Sequence, residues 1–247
     1  MRLFLEDGRA DVNATQSQGA TPFYAACQSG FASVVALLLS DPRVNPNIPR
    51  ADGVYPLYVA TRNNKVEVVR VLLGDKRIDP EQNQNGGTAF MAACAFDLLE
   101  IMNIMLQDNR IDPNRTLVTI CPLFVACERN SAVVVRLLLK YPRVNHDFKR
   151  QNGQTPIWIA ASKGHTACVK ELIASGRSFD LSTRWVNTGL TPAMEALRMG
   201  KYDVFDLLAD YATKLDELRK KLRKDLGFVG EMTVSFFSQV LMPFASL

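Results

Sequence analysis

The sequence predicts an all-α solenoid, a stack of helical pairs in which each unit contacts only its neighbours. A six-residue pattern ending in alanine recurs along the chain, and its copies begin at Thr21, Tyr55, Thr88, Cys121, Thr155 and Thr191. Their separations are 34, 33, 33, 34 and 36 residues. A residue that tolerates a left-handed backbone, and then an apolar segment, comes after every copy. A period near 33 with these two features is typical of a repeat array.

Each copy of the pattern has the composition of a helix start. Four of the six copies open with threonine, whose hydroxyl can accept a hydrogen bond from an amide of the first turn. Proline is the next residue in five of the six copies, and it fits the first helical position because no donor is needed there. A short first helix is therefore predicted in every repeat.

The residues after the pattern predict the end of that helix and the start of a second one. Types suited to a left-handed backbone stand four residues beyond each closing alanine, at Gly30, Asn64, Asp97, Asn130, Gly164 and Gly200. Second apolar segments come next, at 34–39, 66–73, 98–106, 133–139, 167–173 and 204–208. Polar stretches with glycine, suited to hairpin-like turns, then lead to the next copy, with Gly19, Gly53, Gly86, Gly153 and Gly189. Each unit is predicted to be helix, turn, helix and finger loop.

This unit resembles the ankyrin repeat, whose hallmark is Thr-Pro-Leu-His-x-Ala at a period of 33. The resemblance covers 1–211 and implies a partial first repeat and six repeats beginning near residues 16, 50, 83, 116, 150 and 186. The histidine of the family is replaced throughout, by Tyr24, Tyr58, Met91, Phe124, Trp158 and Met194. In the family that histidine ties the finger to the helix by hydrogen bonds. We expect packing of these large side chains to substitute for it.

The two ends of the array differ from its middle. Residues 3–5 align with 37–39, so the chain begins near the end of a second helix. We favour a fragment of a longer array, the alternative being that something else covers that face. At the other end, 212–247 is predicted to be a C-terminal helical extension, with Leu215, Leu218 and Leu222 on one face among basic residues.

Three interpretations of that extension remain open. The first, which we favour, is a helical cap that closes the apolar face of the last repeat. The second is a docking helix for another protein. The third is a membrane-surface helix through 214–247, suggested by a basic run and the aromatic residues after it. Polar residues such as Glu231 and Gln239 argue against a segment that spans a membrane.

Composition argues against catalysis and against metal or cofactor binding. The chain has 247 residues, only two histidines, and five cysteines without metal-type spacing. No phosphate loop or nucleophile motif is present, so neither an enzyme nor a cofactor is predicted. Cys27, Cys94 and Cys127 share one repeat position, which favours small buried side chains in a reducing compartment. We expect an intracellular monomer, cytoplasmic or nuclear.

An arginine ladder runs through the array at separations of 34, 34, 33, 33 and 34 residues, through Arg9, Arg43, Arg77, Arg110, Arg143 and Arg177. Aspartate precedes the first four arginines by two residues. Each arginine could bond loop carbonyls or acids of adjacent repeats, or the set could form a basic stripe for an anionic ligand. We favour the structural interpretation, because the acids would neutralise a stripe. A net charge of +4 disfavours nucleic acid as a partner.

By the ankyrin resemblance, a partner should contact the finger tips and the exposed face of the first helices. The candidate partner-binding residues are Arg62, Phe96, Leu117, Val118, Glu128, Arg129, Lys163, Trp185 and Arg198. The predicted function is a non-catalytic scaffold or adaptor that binds another protein through the concave face of the array. The alternative is an anionic-ligand or membrane-surface binder that uses the arginine ladder or the basic C-terminal helix. A third possibility is a regulatory fragment of a larger enzyme.

Overall fold

The computed structural model describes residues 11–84, 87–116 and 120–225, which form twelve helices and one short hairpin. The first helices of the repeats are α1 (Pro22–Ser29), α3 (Pro56–Arg62), α5 (Ala89–Ala95), α7 (Pro122–Glu128), α9 (Pro156–Lys163) and α11 (Pro192–Arg198). The second helices are α2 (Ala32–Leu39), α4 (Val66–Gly74), α6 (Leu99–Gln107), α8 (Ala132–Leu139), α10 (Thr166–Ala174) and α12 (Tyr202–Asp225). Strands β1 (Asn83–Gln84) and β2 (Gly87–Thr88) pair antiparallel before α5. The predicted all-α repeat solenoid is confirmed.

The first helices begin as the pattern predicts. The hydroxyl oxygen of Thr21 accepts a hydrogen bond from the amide of Tyr24 at 3.0 Å, and Thr155 accepts one from Trp158 at 3.2 Å. The sulfur of Cys121 occupies the same place and accepts from the amide of Phe124 at 3.4 Å. These contacts satisfy an amide that has no partner inside the helix.

The first helices also end where the residue types indicate. Each of the predicted positions has a positive φ: 88° at Gly30, 53° at Asn64, 56° at Asp97, 63° at Asn130, 74° at Gly164 and 68° at Gly200. Asparagine and aspartate adopt this backbone at lower cost than other side chains because their short polar groups can bond locally. The turn redirects the chain into the second helix of the same repeat.

The first helices form one layer and the second helices form another, and the core lies between the two layers and between neighbouring helices of each layer. Each first helix packs on the first helices of neighbouring repeats, and each second helix packs on the second helices. Tyr24, Phe124 and Trp158, three of the residues in the family's histidine position, are almost completely buried. Burying one such side chain stabilises a fold by about 1.5–3 kcal/mol. Packing of large side chains at the family's histidine position is therefore observed in the repeats that begin near residues 16, 116 and 150.

The cysteines are part of this core. Cys27, Cys94 and Cys127, the three that share a repeat position, are each fully buried, and Cys121 and Cys168 are buried as well. Burial raises the pKa of the Cys121 thiol to about 11, and it raises the pKa of Cys127 well above the usual range. These thiols are therefore protonated and act as small apolar side chains, as the sequence predicts.

The finger loops turn tightly at their glycines. Gly53 has φ 81° and donates its amide to the carbonyl oxygen of Arg50 at 2.8 Å, and Gly153 has φ 87° and bonds Arg150 at 2.9 Å in the same way. Successive fingers also bond each other, since the amide of Val186 donates to the carbonyl oxygen of Asn152 at 2.9 Å. Gly86, another predicted finger glycine, lies outside the described residues.

The last helix, α12, is continuous from Tyr202 to Asp225 and passes through the predicted boundary at 211/212 without a break. Its first part packs on the array: Ala212 is buried, and the hydroxyl of Tyr211 donates to the carbonyl oxygen of Arg177 at 3.0 Å. Residues 226–247, which carry the apolar half of the predicted extension, lie outside the described residues. So do residues 1–10, on which the partial first repeat was predicted.

Within the described ranges, no helix is both long enough and apolar enough to cross a membrane.

Candidate functional site

The recurring arginines fasten each repeat to the repeat before it. Arg110 donates from Nη2 to the carbonyl oxygen of Leu73 at 2.7 Å and from Nη1 to that of Ile78 at 3.0 Å. Equivalent contacts to the preceding repeat are made by Arg77, Arg143 and Arg177. The carbonyls that accept these hydrogen bonds lie at the end of a second helix and in the loop after it, where no helical amide is available as a donor. A guanidinium with several fixed donors suits this task.

The aspartates that accompany these arginines hold them in place. Asp75 pairs with Arg77 and Asp108 with Arg110, at 2.7 and 2.6 Å. The hydrogen bonds from those arginines lower the pKa of both carboxyl groups. The structural interpretation of the ladder is confirmed for Arg77, Arg110, Arg143 and Arg177, because their donors bond carbonyls of the preceding repeat. Arg9 and Asp7 lie outside the described residues.

A second ladder, which the sequence analysis missed, runs beside the first. Asn47 donates from Nδ2 to the carbonyl oxygen of Arg77 at 2.6 Å, and its Oδ1 accepts from the amide of Asp79 at 3.2 Å. Asn13 and Asn114 make the same two bonds to the next repeat. The signal was present in the sequence, because Asn13, Asn47 and Asn114 stand at one repeat position. Only the structure shows that these side chains connect neighbouring loops.

The candidate site is the inner face, which we define as the exposed ends of the first helices together with the fingers. A cleft of about 620 Å³ opens on this face in the first three repeats. Helix residues Tyr24, Gln28, Tyr58, Val59, Arg62 and Asn63 line it on one side, and Arg50, Asp52, Val54 and Gly87 line it from the fingers. Helix ends and fingers thus border one surface, as the ankyrin resemblance implies.

Two arginines in this cleft have different surroundings. Arg50 forms an ion pair with Asp52, and its guanidinium lies 5.7 Å from the centre of the Tyr24 ring. The hydrogen bond from Arg50 lowers the pKa of Asp52 to about 2. Arg62 is exposed, and its guanidinium has no hydrogen bond or ion pair with any residue that the structure describes. Among the described residues that line the cleft, Arg62 is therefore a cation available to an anionic group.

Phe96 and Arg129 occupy one position in successive repeats, three residues after the closing alanine. Phe96 caps the end of α5 and is 51% exposed, so a large apolar side chain is in contact with water at this helix end. Arg129 caps the end of α7 and is exposed, and within the described ranges its guanidinium has no hydrogen-bond or ion-pair partner. Because α5 packs between α3 and α7, Phe96 lies between Arg62 and Arg129 along the inner face.

The other charged candidates are paired with each other or with the core. Glu128 lies 3.4 Å from the Nζ of Lys163 in the next repeat. Arg198 donates to both carboxylate oxygens of Glu195, whose side chain is only 2% exposed. Contacts with neighbouring side chains already neutralise these three candidates in part. Among the described residues they therefore carry less unpaired charge than Arg62 and Arg129.

Trp185 packs inside the stack. It is half-buried, and its ring centre lies 5.0 Å from that of Trp158 in the preceding repeat. The Nε1 of Trp158 donates to the carbonyl oxygen of Leu190 at 3.3 Å, so this side chain ties its helix to the next finger as the family's histidine does. The remaining finger candidates, Leu117 and Val118, lie outside the described residues.

The described residues contain no cluster of three or more histidine, cysteine, aspartate or glutamate side chains placed to hold a metal ion. His165, one of the two histidines, has its Nδ1 2.8 Å from the carbonyl oxygen of Cys127 and so joins two repeats.

Comparison with protein families places the chain in a class. Models of the ankyrin repeat match residues 18–50, 42–117 and 123–218. The chain belongs to the ankyrin-repeat family. Ankyrin repeats generally mediate protein–protein interaction, and the fold is typically a non-enzymatic interaction domain.

Curated relatives are similar over short stretches only. The chain is 33% identical over 86 residues to SMC5-SMC6 complex localization factor protein 1 of Homo sapiens. The matched stretch covers 35% of this chain and 8% of that protein. The chain is also 36% identical over 58 residues to Ankyrin repeat domain-containing protein 29 of Homo sapiens. That stretch covers 24% of this chain and 19% of that protein. The chain thus matches less than a fifth of the length of either relative.

Solved structures are similar over most of the chain. The ankyrin repeat domain of Bcl-3, described as a unique member of the IkappaB protein family, has a TM-score of 0.75 at 25% identity, covering 84% of this chain and 90% of that one. An ankyrin repeat domain from Acinetobacter baumannii AYE has a TM-score of 0.69 at 21% identity, covering 77% and 97%. The second likeness shows the fold alone.

Proposed function

We propose that this protein is a non-catalytic scaffold or adaptor that binds a protein partner through its inner face, the concave side expected from the ankyrin resemblance. The observation that carries the proposal is the row formed by Arg62, Phe96 and Arg129. An exposed aromatic side chain flanked by two guanidinium groups, both unpaired among the described residues, has the composition that concentrates binding energy at interfaces.

The arginine ladder supports the same choice. Its described members from Arg77 to Arg177 donate to carbonyls within the stack, so an anionic ligand would have to displace those bonds. The inner face has no such obstacle, because Arg62 and Arg129 have no internal partner to give up among the described residues. This contrast favours the inner face over the ladder as the place where a partner binds.

The intracellular setting is part of the proposal. All five cysteines are unpaired and buried in the core, where oxidation would disrupt packing. We infer a reducing compartment, cytoplasmic or nuclear, and a monomeric array whose inner face is accessible to another protein.

Affinity capture with matched surface variants tests the proposed function. The inner-face variant combines Arg62→Glu, Phe96→Ala and Arg129→Glu. The outer-face control combines Arg70→Glu and Val133→Ala, at exposed positions on second helices, with Lys140→Glu, at the exposed residue that caps α8. We expect the inner-face variant to recover at least about tenfold less of the proteins captured by the unmodified chain, as loss of an interface anchor does. The control should recover them fully.

Two further measurements make the result decisive. Circular dichroism and urea unfolding should show that both triple variants fold as the unmodified chain does. Chemical crosslinking with mass spectrometry should place the captured protein next to first helices and fingers. Capture that survives the inner-face changes and disappears with the outer-face changes would overturn the proposal.

A further inference from the structure

We propose that the inner face binds an extended acidic segment of its partner, with carboxylates on Arg62 and Arg129 and an apolar side chain on Phe96 between them. This inference rests on the proposed function and adds the chemical class of the partner. The pattern expected in the partner is acid-x-x-apolar-x-x-acid.

The charge balance of the helix ends favours an acidic partner. Four cations stand at the ends of the first helices: Arg62, Arg129, Lys163 and Arg198. Lys163 and Arg198 are paired with Glu128 and Glu195, so these two acids offer little to a basic partner. The guanidinium groups of Arg62 and Arg129 have no partner among the described residues, and each can form bidentate hydrogen bonds with a carboxylate.

The acids nearest to the row do not change this balance. Asp52 is held by Arg50 in the cleft. Asp97 comes directly after Phe96, but it occupies the left-handed position of the turn into α6 and is a single exposed acid. A basic segment would meet one unpaired carboxylate and two unpaired guanidinium groups among the described residues of this row.

The expected spacing of the packed helices favours an extended conformation for the bound segment. The three residues lie at the ends of α3, α5 and α7, and packed helices stand about 8–10 Å apart. A polyproline II segment rises about 3.1 Å per residue with three residues per turn, so every third side chain faces one side at intervals of about 9 Å. Acid, apolar residue and acid at every third position therefore match the three helices. A regular β-strand does not match the three helices, because residues three positions apart on a strand point to opposite faces.

Phe96 supplies the apolar contact at the centre of the row. About half of the residue's surface is in water in the free protein, and covering that apolar surface favours binding. The flanking guanidinium groups then lie at the edge of the contact, where they select charge and orientation. The arrangement disfavours a basic segment, because the cations of that segment would face the guanidinium groups of Arg62 and Arg129.

A labelled peptide of sequence Glu-Pro-Pro-Leu-Pro-Pro-Glu tests the inference with the full 247-residue chain. Prolines preset the extended conformation and reduce the entropy lost on binding. The controls are Lys-Pro-Pro-Leu-Pro-Pro-Lys and a peptide with shifted spacing, Glu-Pro-Leu-Pro-Pro-Pro-Glu. Fluorescence anisotropy measures the dissociation constants, and we expect the first peptide to bind at least about tenfold more tightly than either control.

Variants of the protein locate the bound peptide. Arg62→Glu and Arg129→Glu should each weaken binding about tenfold, because each removes a charge-assisted contact and adds repulsion. Phe96→Ala should weaken it by a similar factor. The matched controls, Arg70→Glu on α4 and Val186→Ala at an exposed finger position, should change binding less than about twofold.

The outcomes separate this inference from the proposed function. Equal binding of the glutamate and lysine peptides would overturn the acidic segment, and the proposed function would stand if capture still depended on the inner face. Tighter binding of a seven-nucleotide oligothymidylate, lost in Arg62→Glu and unchanged in Phe96→Ala, would overturn it in favour of nucleic acid. Peptide binding that persists in all three inner-face variants would also overturn it, because the contact would lie elsewhere.

Discussion

The Nη2 of Arg110 donates to the carbonyl oxygen of Leu73, 37 residues earlier, at 2.7 Å. Leu73 lies near the end of the second helix of the preceding repeat, where carbonyls have no helical donor. One side chain thus satisfies the end of a neighbouring helix and joins two repeats. In a stack whose units contact only their neighbours, such contacts set the stability of each interface.

Arg110→Ala should lower the free energy of unfolding by about 1–3 kcal/mol, because the carbonyls of Leu73 and Ile78 lose their donor and Asp108 loses its partner. Urea unfolding followed by circular dichroism measures the change. The control is Arg70→Ala, an exposed arginine whose ion pairs are 3.6 and 3.7 Å long and which should cost less than about 0.5 kcal/mol. Equal effects of the two changes would contradict a structural ladder.

The two tryptophans should respond differently to replacement by phenylalanine. Trp158→Phe removes the hydrogen bond to Leu190 and should cost about 1–2 kcal/mol of unfolding free energy. Trp185→Phe removes an Nε1 group that is buried and has no partner among the described residues, so its cost should be clearly smaller. Chemical unfolding of both variants measures the difference. A larger loss from Trp185→Phe would show that its indole nitrogen is satisfied in solution.

Stability should fall in acid through the aspartates of the ladder. The hydrogen bonds from Arg77 and Arg110 hold the pKa values of Asp75 and Asp108 below their usual range in the folded protein. A lowered folded-state pKa contributes stability above the unfolded pKa of about 3.9, and this stability is lost as pH falls through the folded-state value. The urea midpoint should therefore decrease from about pH 5 downward.

The double variant Asp75→Asn with Asp108→Asn provides the control for that pH dependence. Its urea midpoint should be lower at neutral pH and should change less between about pH 5 and pH 3, since two of the titrating groups are gone. A slope as steep as that of the unmodified chain would assign the acid sensitivity to other carboxylates.

Two glycines with positive φ form a matched pair for the finger contacts. Gly153 has φ 87°, and a β-carbon there would collide with the carbonyl oxygen of Arg184 in the next finger. Gly176 has φ 70°, and a β-carbon there would meet open space. Gly176→Ala should cost about 1 kcal/mol from backbone strain, and Gly153→Ala at least twice that because the fingers must also separate. Thermal unfolding measures both, and equal costs would mean that the fingers are not in close contact.

The repeat architecture could be predicted because its signals are local. Threonine or cysteine at the first position caps a helix, proline fits the next position, and glycine or asparagine permits the left-handed turn, as Thr155 and Asn64 show. Each of these effects depends on a few neighbouring atoms, so it can be identified in one repeat and checked in the other five. The family's missing histidine could also be recognised, and burial of Trp158 in its place confirms the expected packing.

The candidate site could be predicted only in part. The sequence places Arg62, Phe96, Glu128 and Arg129 at corresponding helix ends, but it does not show which charges already have partners. Glu128 is paired with Lys163 from the next repeat, whereas Arg129 beside it has no side-chain partner among the described residues. Trp185 was a candidate because it is aromatic in a long loop, yet it packs on Trp158.

The sequence by itself determined the repeat period, the positions of the helices and turns, and the recurrence of the arginines. Only the tertiary structure decided the roles of those arginines and of the asparagines beside them, and which cations of the inner face are free. The reason is physical: helix caps and turns form between residues about two to four apart. Ion pairs and hydrogen bonds between repeats join residues about 30–38 positions apart, such as Asn47 with Arg77 and Arg177 with Leu139, and depend on side-chain positions that stacking creates.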